Sequence, residues 1–382
     1  MVSLILVYNG TKLLNIQENK LLKIISIVGA RPNFIKMAPI CKAFQKNSSQ
    51  VKHQLCHTGQ HYDAKMSQVF FDQLGMPTPN FYLGINGGSQ TDMTARIMQE
   101  FEKVVLNEKP DMILVPGDVN STLACSLVAS KLGIKIAHIE SGLRSFDRTM
   151  PEEINRLITD VLADYLFVTE QSGIDHLVHE GIDQNKIHFV GNVMIDSLVE
   201  LLPQIDQSTI IDTLSLVQKE FILVTFHRPA NVDAFDYLAN LINYLKELSE
   251  DIPIVFPIHP RTRNNLEKQG IDTKSTESLI LTEPLGYIDF LALTKSAKIV
   301  VTDSGGIQEE TTFLGVQCVT VRDNTERPST VDIGTNHLVG TNLDDVKKTV
   351  SSILNGNVKL GEIPPLWDGH TADRIAKIIL EK

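Results

Sequence analysis

An apolar strand runs through a glycine-rich turn into a helix at Val300-Val301-Thr302-Asp303-Ser304-Gly305-Gly306-Ile307-Gln308-Glu309-Glu310. Bare backbone N–H groups at such a turn point outward at the positive end of the helix dipole, where a phosphate can bind. The pattern therefore predicts a site for a phosphorylated ligand. An ordinary strand–helix turn with Ser304 as its cap is the alternative that these residues leave open.

On both sides of this turn, short β-branched runs alternate with helical patterns. Such alternation is typical of an α/β fold with a parallel sheet covered by helices on both faces. The predicted strands are 24–28, 53–57, 112–115, 134–139, 165–168, 187–190, 221–226, 254–257, 279–281, 299–302 and 318–321. The predicted helices are 35–44, 64–74, 121–132, 151–163, 237–248 and 371–380.

The length of 382 residues exceeds one average domain and fits two. We predict an appendage at 1–21, Rossmann-like domains at 22–190 and 191–365, and a final segment, 366–382, whose helix packs back on the first domain. The first boundary falls where a strand-like run meets Gly191-Asn192. Two domains of this kind imply a cleft between them.

Composition narrows the class of protein. The hydrophobic content of 42% with 21% charged residues is typical of a soluble globular protein. A net charge of −11 argues against a nucleic-acid or anionic-membrane surface. Because no segment reaches the roughly 18 apolar residues of a membrane helix, we expect a cytoplasmic protein. The four cysteines lack metal-ligand spacing and are expected to be buried thiols.

No metal or nicotinamide cofactor is expected. The chain shows no arrangement of His, Cys, Asp and Glu that suits a metal ion. The first strand is not followed by a Gly-x-Gly-x-x-Gly turn, which argues against bound NAD.

Charged residues follow the strands of both halves. Ligands of open parallel sheets bind beyond the carboxyl ends of the strands. The first half supplies the carboxylates Asp118 and Glu140 there, whereas the second half supplies His227-Arg228, Arg322 and the Ser-Gly-Gly turn. We therefore expect the two rims to face each other across the cleft. His259 and Arg261 are weaker candidates for the same rim.

Asp118 and Glu140 end two successive strands and are expected to lie on neighbouring strands. Close carboxylates raise each other's proton affinity, which suits an acid and base pair. Asp118 could instead cap the helix that begins near Ser121. His227 could stabilise an anionic leaving group or serve a structural purpose; its coincidence with Ser304 favours the first.

Glu152 and Glu153 lie in the first turn of a helix begun by Pro151, where the dipole favours acids. Glu153, with Arg156 three residues on, is interpreted as structural. Glu152 is expected to project into the cleft, opposite a core-facing apolar stripe. The predicted stripe consists of Ile154, Leu157, Ile158, Val161 and Leu162.

Long motifs carry a family resemblance. They are Gly29-Ala-Arg-Pro-Asn-Phe-Ile-Lys-Met-Ala-Pro39, Gly117-Asp118 with Ser121-Thr-Leu-Ala124, His138-Ile-Glu-Ser-Gly-Leu-Arg-Ser-Phe-Asp-Arg-Thr-Met-Pro-Glu-Glu-Ile-Asn-Arg156, Thr302-Asp-Ser-Gly-Gly-Ile-Gln-Glu-Glu310 and Arg322-Asp-Asn-Thr-Glu-Arg-Pro328. Over about residues 23–379 the chain resembles the non-hydrolysing UDP-N-acetylglucosamine 2-epimerases.

The resemblance implies a glycosyltransferase B type architecture, a homodimer, and conversion of UDP-GlcNAc into UDP-N-acetylmannosamine without a cofactor. It implies a mechanism in which UDP is eliminated to leave a 2-acetamidoglucal and is then added back.

Site residues follow by matched position. The acid/base carboxylates would be Asp118, Glu140 and Glu152, and His227 is also assigned to catalysis. Substrate contacts would come from Arg31, Lys36, Phe290, Ser304, Gly305, Gly306, Glu310 and Arg327. In the family, Arg31 and the glycine turn would hold the diphosphate, Glu310 the ribose and Phe290 the uracil.

Two departures from the family pattern concern regulation. Tyr62 and Pro229 stand where members activated by their own substrate carry arginines. The resemblance therefore predicts weak or absent activation by UDP-GlcNAc. Alternatives for the function are a modified UDP-sugar such as a 2,3-diacetamido uronic acid, a hydrolysing epimerase, a glycosyltransferase and a catalytically silent UDP-sugar sensor.

Overall fold

The computed structural model describes residues 21–381, apart from 61–70, 72, 233, 234, 259, 269 and 272–274. Nearly all of the predicted appendage and most of the predicted helix at 64–74 lie outside the described residues.

The first part of the chain forms a sheet of seven parallel strands in the order β3-β2-β1-β4-β5-β6-β7. Its strands are β1 (Leu22–Val28), β2 (Val51–His57), β3 (Phe81–Tyr82), β4 (Met112–Pro116), β5 (Lys135–Ser141), β6 (Tyr165–Val168) and β7 (Ile187–Phe189). The accompanying helices are α1 (Arg31–Lys46), α2 (Gln90–Glu108), α3 (Asn120–Lys131), α4 (Pro151–Leu162) and α5 (Gln171–His179).

The second part forms a six-stranded parallel sheet in the order β10-β9-β8-β11-β12-β13. Its strands are β8 (Ile222–Thr225), β9 (Ile254–Pro257), β10 (Leu279–Thr282), β11 (Ile299–Thr302), β12 (Gln317–Thr320) and β13 (Asn336–Leu338). The remaining helices are α6 (Val193–Ile205), α7 (Ile210–Thr213), α8 (Pro229–Val232), α9 (Phe235–Leu248), α10 (Pro260–Lys268), α11 (Tyr287–Ser296), α12 (Gly305–Leu314), α13 (Pro328–Asp332), α14 (Leu343–Leu354) and α15 (Thr371–Leu380).

The central strands explain why the sheets form. Strand β4 is apolar throughout and β11 is apolar up to Thr302, and both are fully buried, as expected of parallel strands with helices on both faces. In each sheet the strand order reverses beside the first strand, between β1 and β4 and between β8 and β11. Ligands bind at such switch points, because the loops after the two strands diverge there. The prediction of two Rossmann-like α/β domains is confirmed.

Helices α6 and α15 connect the two parts. Helix α15 packs against α1 and α6, and Asp196 of α6 accepts hydrogen bonds from the backbone N–H groups of Thr371 and Ala372 at the start of α15. Gly191 approaches Leu366 so closely that a Cβ atom would lie 2.1 Å from the Leu366 carbonyl oxygen. The domain limits at 190 and 365 stay a prediction.

The predicted core stripe of α4 is wrong. Ile154, Ile158 and Val161 are exposed, and Val161 keeps 65% of its surface accessible. The buried face of α4 is polar instead and consists of Glu153, Asn155, Arg156, Thr159 and Asp160. The reason is that Glu153, Arg156 and Asp160 form buried ion pairs near the ends of β4 and β5, which periodicity alone cannot reveal.

Two further expectations concern the whole chain. All four cysteines are free and buried, as expected. Among the described residues, no helix combines the length and apolar character needed to cross a membrane.

Candidate active site

Asp118 lies directly beyond β4 and does not cap a helix. Helix α3 begins at Asn120 with Val119 as its N-cap residue. The Asp118 carboxylate is instead paired with Arg156, with 2.5 Å between Oδ2 and Nη1, and its side chain stays 30% exposed. Asn155 donates a hydrogen bond to the Asp118 carbonyl oxygen at 2.8 Å. The buried polar face of α4 thus holds Asp118 at the rim of the cleft.

Glu140 sits at a distortion near the end of β5. Its φ is +70°, and the pairing with β6 shifts register between Ile139 and Ser141. A non-glycine residue in the left-handed region costs about 1 kcal/mol or more, which is typical of functional sites. Gly117 leaves room for Lys36, since a Cβ atom there would lie only 3.0 Å from Lys36 Nζ.

Two cations surround the buried Glu140 carboxylate. Lys36 pairs with Oε2, and Arg327 Nη2 donates to Oε1 at 2.6 Å. Burial opposes ionisation, but the charges of Lys36 and Arg327 outweigh it and hold the pKa of Glu140 below its usual value. Glu140 is therefore an ionised carboxylate, able to accept a proton.

Glu152 and Glu153 have different surroundings, although they are neighbours on α4. Glu153 accepts hydrogen bonds from the backbone of Ser145 and Phe146 and pairs with Arg156 at 2.9 Å, which confirms its structural interpretation. Glu152 is half-buried and makes no hydrogen bond or ion pair with the residues that the structure describes. Its acid/base role stays a prediction.

Arg327 links the two halves of the molecule. Besides Glu140 of the first part, it faces two carboxylates of the second, with Nε 2.9 Å from Glu309 Oε1 and Nη1 3.4 Å from Glu326 Oε2. Burial, only partly offset by Arg327, raises the pKa of Glu309 to about 7, and Glu140 adds to the rise. Burial also opposes ionisation of Glu326, yet pairing with Arg322 holds the pKa of Glu326 well below its usual value.

The glycine turn after β11 lies against this guanidinium. Helix α12 begins at Gly305, and Ser304, its N-cap residue, makes no capping hydrogen bond through its side chain. A Cβ atom at Gly305 would lie 2.8 Å from Arg327 Nη1, and one at Gly306 would lie 3.1 Å from Met194 Cε. The missing side chains thus allow a cation to approach the N-terminus of α12, a suitable place for an anion.

Glu310 follows Glu309 on α12 and is also buried. Tyr287 donates a hydrogen bond from its hydroxyl to Glu310 Oε1 at 2.8 Å. Burial raises the pKa of Glu310 to about 7, while the Tyr287 hydrogen bond and the charge of Arg31, which comes from α1 of the first sheet, act in the opposite direction. Phe290 follows on the same helix as Tyr287 and is half-buried.

His227 follows β8 and is oriented by Asp303. The distance from His227 Nδ1 to Asp303 Oδ1 is 2.8 Å, and the imidazole is 52% exposed. Asp303 also accepts hydrogen bonds from the backbone N–H of Arg228 and from Asn231. Burial opposes ionisation of Asp303, but the hydrogen bond and charge of His227 hold its pKa below its usual value. The ring is thus fixed on one side and accessible on the other.

Some predicted residues cannot be placed. His259 and Tyr62 lie outside the described residues, as do the side chains of Arg261 and Pro229.

Sequence reasoning missed the partners of Arg327. Glu309 and Glu326 stand in quoted motifs but were assigned no role, although Glu326 lies four residues after Arg322. Asn192, which donates to Glu309 Oε1 at 2.9 Å, was considered only as a boundary. Tyr287 lies in none of the sequence motifs quoted above. The contacts Asn192–Glu309 and Tyr287–Glu310 join residues of separate helices, so no local pattern contains them, whereas the spacing of Arg322 and Glu326 is a local signal.

The fold and site together define an α/β enzyme of the two-domain glycosyltransferase B type, with carboxylates of one sheet facing cations and a glycine-rich turn of the other. A family model described as UDP-N-acetylglucosamine 2-epimerase matches residues 42–380. The chain belongs to the UDP-N-acetylglucosamine 2-epimerase family and is an isomerase.

Individual relatives agree with this assignment. The UDP-N-acetylglucosamine 2-epimerase of Methanocaldococcus jannaschii is 41% identical over 365 residues, which cover 94% of this chain and 99% of the relative. A crystal structure of the M. jannaschii enzyme in complex with UDP-GlcNAc and UDP has a TM-score of 0.85 at 41% identity, covering 94% of this chain and all of that one. The UDP-2,3-diacetamido-2,3-dideoxy-D-glucuronate 2-epimerase of Pseudomonas aeruginosa is 42% identical, with coverages of 94% and 99%.

Proposed function

We propose that this enzyme interconverts UDP-N-acetylglucosamine and UDP-N-acetylmannosamine by inverting C2, for the synthesis of cell-surface polysaccharide precursors. The observation that carries the proposal is Arg327, which lies against the glycine turn of one sheet and pairs with Glu140 of the other. A sugar nucleotide with its diphosphate at the turn would bring its sugar to the carboxylates. The M. jannaschii relative, solved with UDP-GlcNAc, supports this substrate.

The proposed chemistry proceeds by elimination. The C2 proton of a pyranose is not α to a carbonyl, so its direct removal would be very slow. In the proposed route a carboxylate accepts this proton, the C1–C2 double bond forms, and the C1–O bond breaks with its electron pair leaving on UDP. Protonation of the resulting 2-acetamidoglucal on the opposite face of C2, with return of UDP to C1, gives the epimer.

The residues divide between these tasks. Asp118, Glu140 and Glu152 are the proposed proton carriers, and the ionised state of Glu140 suits a proton acceptor. His227, held by Asp303, would stabilise the departing phosphate. The proposed substrate contacts are Arg31, Lys36, Phe290, Ser304, Gly305, Gly306, Glu310 and Arg327. In this scheme Lys36 acts by keeping Glu140 ionised beside the sugar.

A modified substrate is the second candidate. The P. aeruginosa relative acts on a UDP-2,3-diacetamido glucuronate and is as similar to this chain as the M. jannaschii enzyme is. Parallel incubations with both UDP-sugars decide between them.

Deuterium incorporation tests the proposed reaction. UDP-GlcNAc incubated with the enzyme in D2O, without added metal or NAD, should give both epimers labelled at C2, as observed by NMR. Formation of the epimer without label would refute elimination. Release of free N-acetylmannosamine as the main product would support a hydrolysing enzyme.

We propose that the exposed apolar side of α4 contacts a second copy of this chain. Ile154, Ile158 and Val161 are spaced by four and three residues on one helix face, and a helix that exposes such a stripe usually buries it in an assembly. Charge substitutions at Ile158 and Val161 should convert a dimer to a monomer in light scattering coupled to gel filtration. We further propose a cytoplasmic location, in line with four free, buried cysteines.

A further inference from the structure

A chain of four titratable side chains lies next to the ends of β4 and β5, where Asp118 and Glu140 are located. His138 of β5 contacts Asp160 of α4, with 2.6 Å between Nδ1 and Oδ1. Asp160 Oδ2 lies 2.7 Å from Arg144 Nη1, and Arg144 pairs through Nε and Nη2 with Glu180. The side chains of His138 and Asp160 have no exposed surface, and that of Arg144 is 1% exposed. The proposed catalytic scheme uses none of these four residues.

The second ring nitrogen of His138 also faces an acceptor. Nε2 lies 2.8 Å from the carbonyl oxygen of Gly117, which has no proton to donate. Asp160 is an acceptor as well: burial opposes its ionisation, but His138 and Arg144 hold the pKa of Asp160 below its usual value. A neutral imidazole carries one N–H and could serve only one of these two oxygens.

We infer that His138 is a buried imidazolium that, together with Asp160, positions the segments at the ends of β4 and β5 that carry Asp118 and Glu140. The inference rests on the proposed function for its kinetic consequences. His138 and Asp160 are positioning residues, because neither reaches the cleft.

His138 and Asp160 hydrogen-bond to the backbone close to Asp118 and Glu140. His138 binds the carbonyl of Gly117, whose φ is +64°, immediately before Asp118. Asp160 Oδ2 accepts the backbone N–H of Gly142 at 3.1 Å, two residues after Glu140. The φ values of Glu140 and Gly142 are +70° and +80°. Glycine adopts positive φ freely, but Glu140 keeps this conformation only when its surroundings hold it there.

The charged groups around the ring are compatible with its protonated form. The groups that face it are Asp160 from α4 and, behind Asp160, Arg144 and Glu180. With His138 protonated, the four side chains carry two positive and two negative charges. The Asp160 carboxylate, which has no exposed surface, then lies between two cations, whereas the Glu180 side chain is 27% exposed and water screens its charge.

Nitrogen NMR of protein labelled with ¹⁵N-histidine tests the protonation state on the unaltered enzyme. Near pH 7.5 an ordinary histidine, with a pKa of about 6.5, is mostly neutral. The signals of His138, assigned by their loss in His138→Gln, should show both ring nitrogens protonated. A ring with a single N–H would overturn the inference, whether the other proton is absent or lies on Asp160.

Kinetics of His138→Phe test the positioning role. Phenylalanine fills similar space but has no N–H group, so the hydrogen bond to the Gly117 carbonyl oxygen is lost. We expect kcat to fall roughly 10- to 100-fold, the scale of misplacements near 1 Å, while KM and UDP affinity change less than about threefold. Thr159→Val is the matched control, because Thr159 neighbours Asp160, is fully buried, and its hydroxyl makes no hydrogen bond with the described residues.

The outcomes separate the two proposals. Near-native kcat in His138→Phe, or an equal loss in the control, would refute the positioning role. If the unaltered enzyme does not epimerise UDP-GlcNAc at all, the proposed function fails, whereas the NMR experiment still decides the state of His138.

Discussion

Arg327 Nη2 donates to Glu140 Oε1 at 2.6 Å, joining residues of different sheets across the cleft. The same guanidinium lies against Gly305 at the start of α12. One cation therefore touches both the proposed proton carrier and the proposed diphosphate site. A bound diphosphate would compete with Glu140 for Arg327, so substrate binding and the basicity of Glu140 are expected to be linked.

Removing the charge of a carboxylate should abolish proton transfer but leave nucleotide binding. Asp118→Asn, Glu140→Gln and Glu152→Gln are each expected to reduce kcat by roughly 10²-fold or more, the usual scale for acid/base groups. Calorimetry should still detect UDP binding. Glu200→Gln is the control, because this carboxylate pairs with Lys42 at an exposed position away from the cleft. Near-native turnover of Glu152→Gln would leave Glu152 as a first-turn helix residue only.

Filling the glycine turn should displace Arg327. A methyl group at Gly305 would lie 2.8 Å from Nη1, which is closer than a real contact allows. Gly305→Ala is therefore expected to weaken UDP binding by roughly tenfold, the loss of about one charge-assisted hydrogen bond. Ser304→Ala should also weaken it, by less. Unchanged UDP affinity in Gly305→Ala, with an unchanged melting temperature, would place the diphosphate elsewhere.

Glu310→Gln should weaken UDP binding and increase the free energy of unfolding. Glu310 has a pKa of about 7 in the folded protein, above the ordinary value of 4.5. Between these two pH values the folded state holds a proton that the unfolded chain has released, so stability falls as pH rises and stays low above about pH 7. Glutamine removes this penalty while still accepting the Tyr287 hydrogen bond.

The free energy of unfolding of Glu310→Gln should therefore exceed that of the unaltered protein by up to about 3 kcal/mol near pH 8, and by little near pH 5. Chemical denaturation at both pH values measures this. A difference that does not depend on pH would show that Glu310 ionises normally. UDP affinity should fall if Glu310 holds the ribose.

Regulation by substrate is expected to be weak. The family resemblance implies arginines in substrate-activated members where this chain has Tyr62 and Pro229. Each charge-assisted hydrogen bond lost in this way is worth about 1.5–3 kcal/mol. The reverse reaction, started from UDP-N-acetylmannosamine alone, should run without a lag. A lag abolished by trace UDP-GlcNAc would mean that other residues, such as Gln60, which accepts hydrogen bonds from Ser121, rebuild the regulatory pocket.

Most elements were predictable because their signals are local. Strands such as 165–168, 254–257 and 299–302 and the final helix at 371–380 have the predicted bounds. The helices at 90–108, 193–205 and 343–354 were not predicted, although each is more than ten residues long. The prediction for the apolar stripe on α4 was wrong because amphipathic periodicity identifies two faces of a helix but not which face packs against the rest of the protein.

By itself, the sequence determined the α/β class, the strand-end positions of Asp118, Glu140 and His227, and the glycine turn at Ser304. These follow from residues close together in the chain. Only the tertiary structure decided that Arg327 bridges Glu140 and Glu309, that Glu140 adopts a left-handed conformation, and that both nitrogens of His138 face acceptors. Protonation states and ion pairs depend on burial and on distances between remote residues, which exist only once the chain has folded.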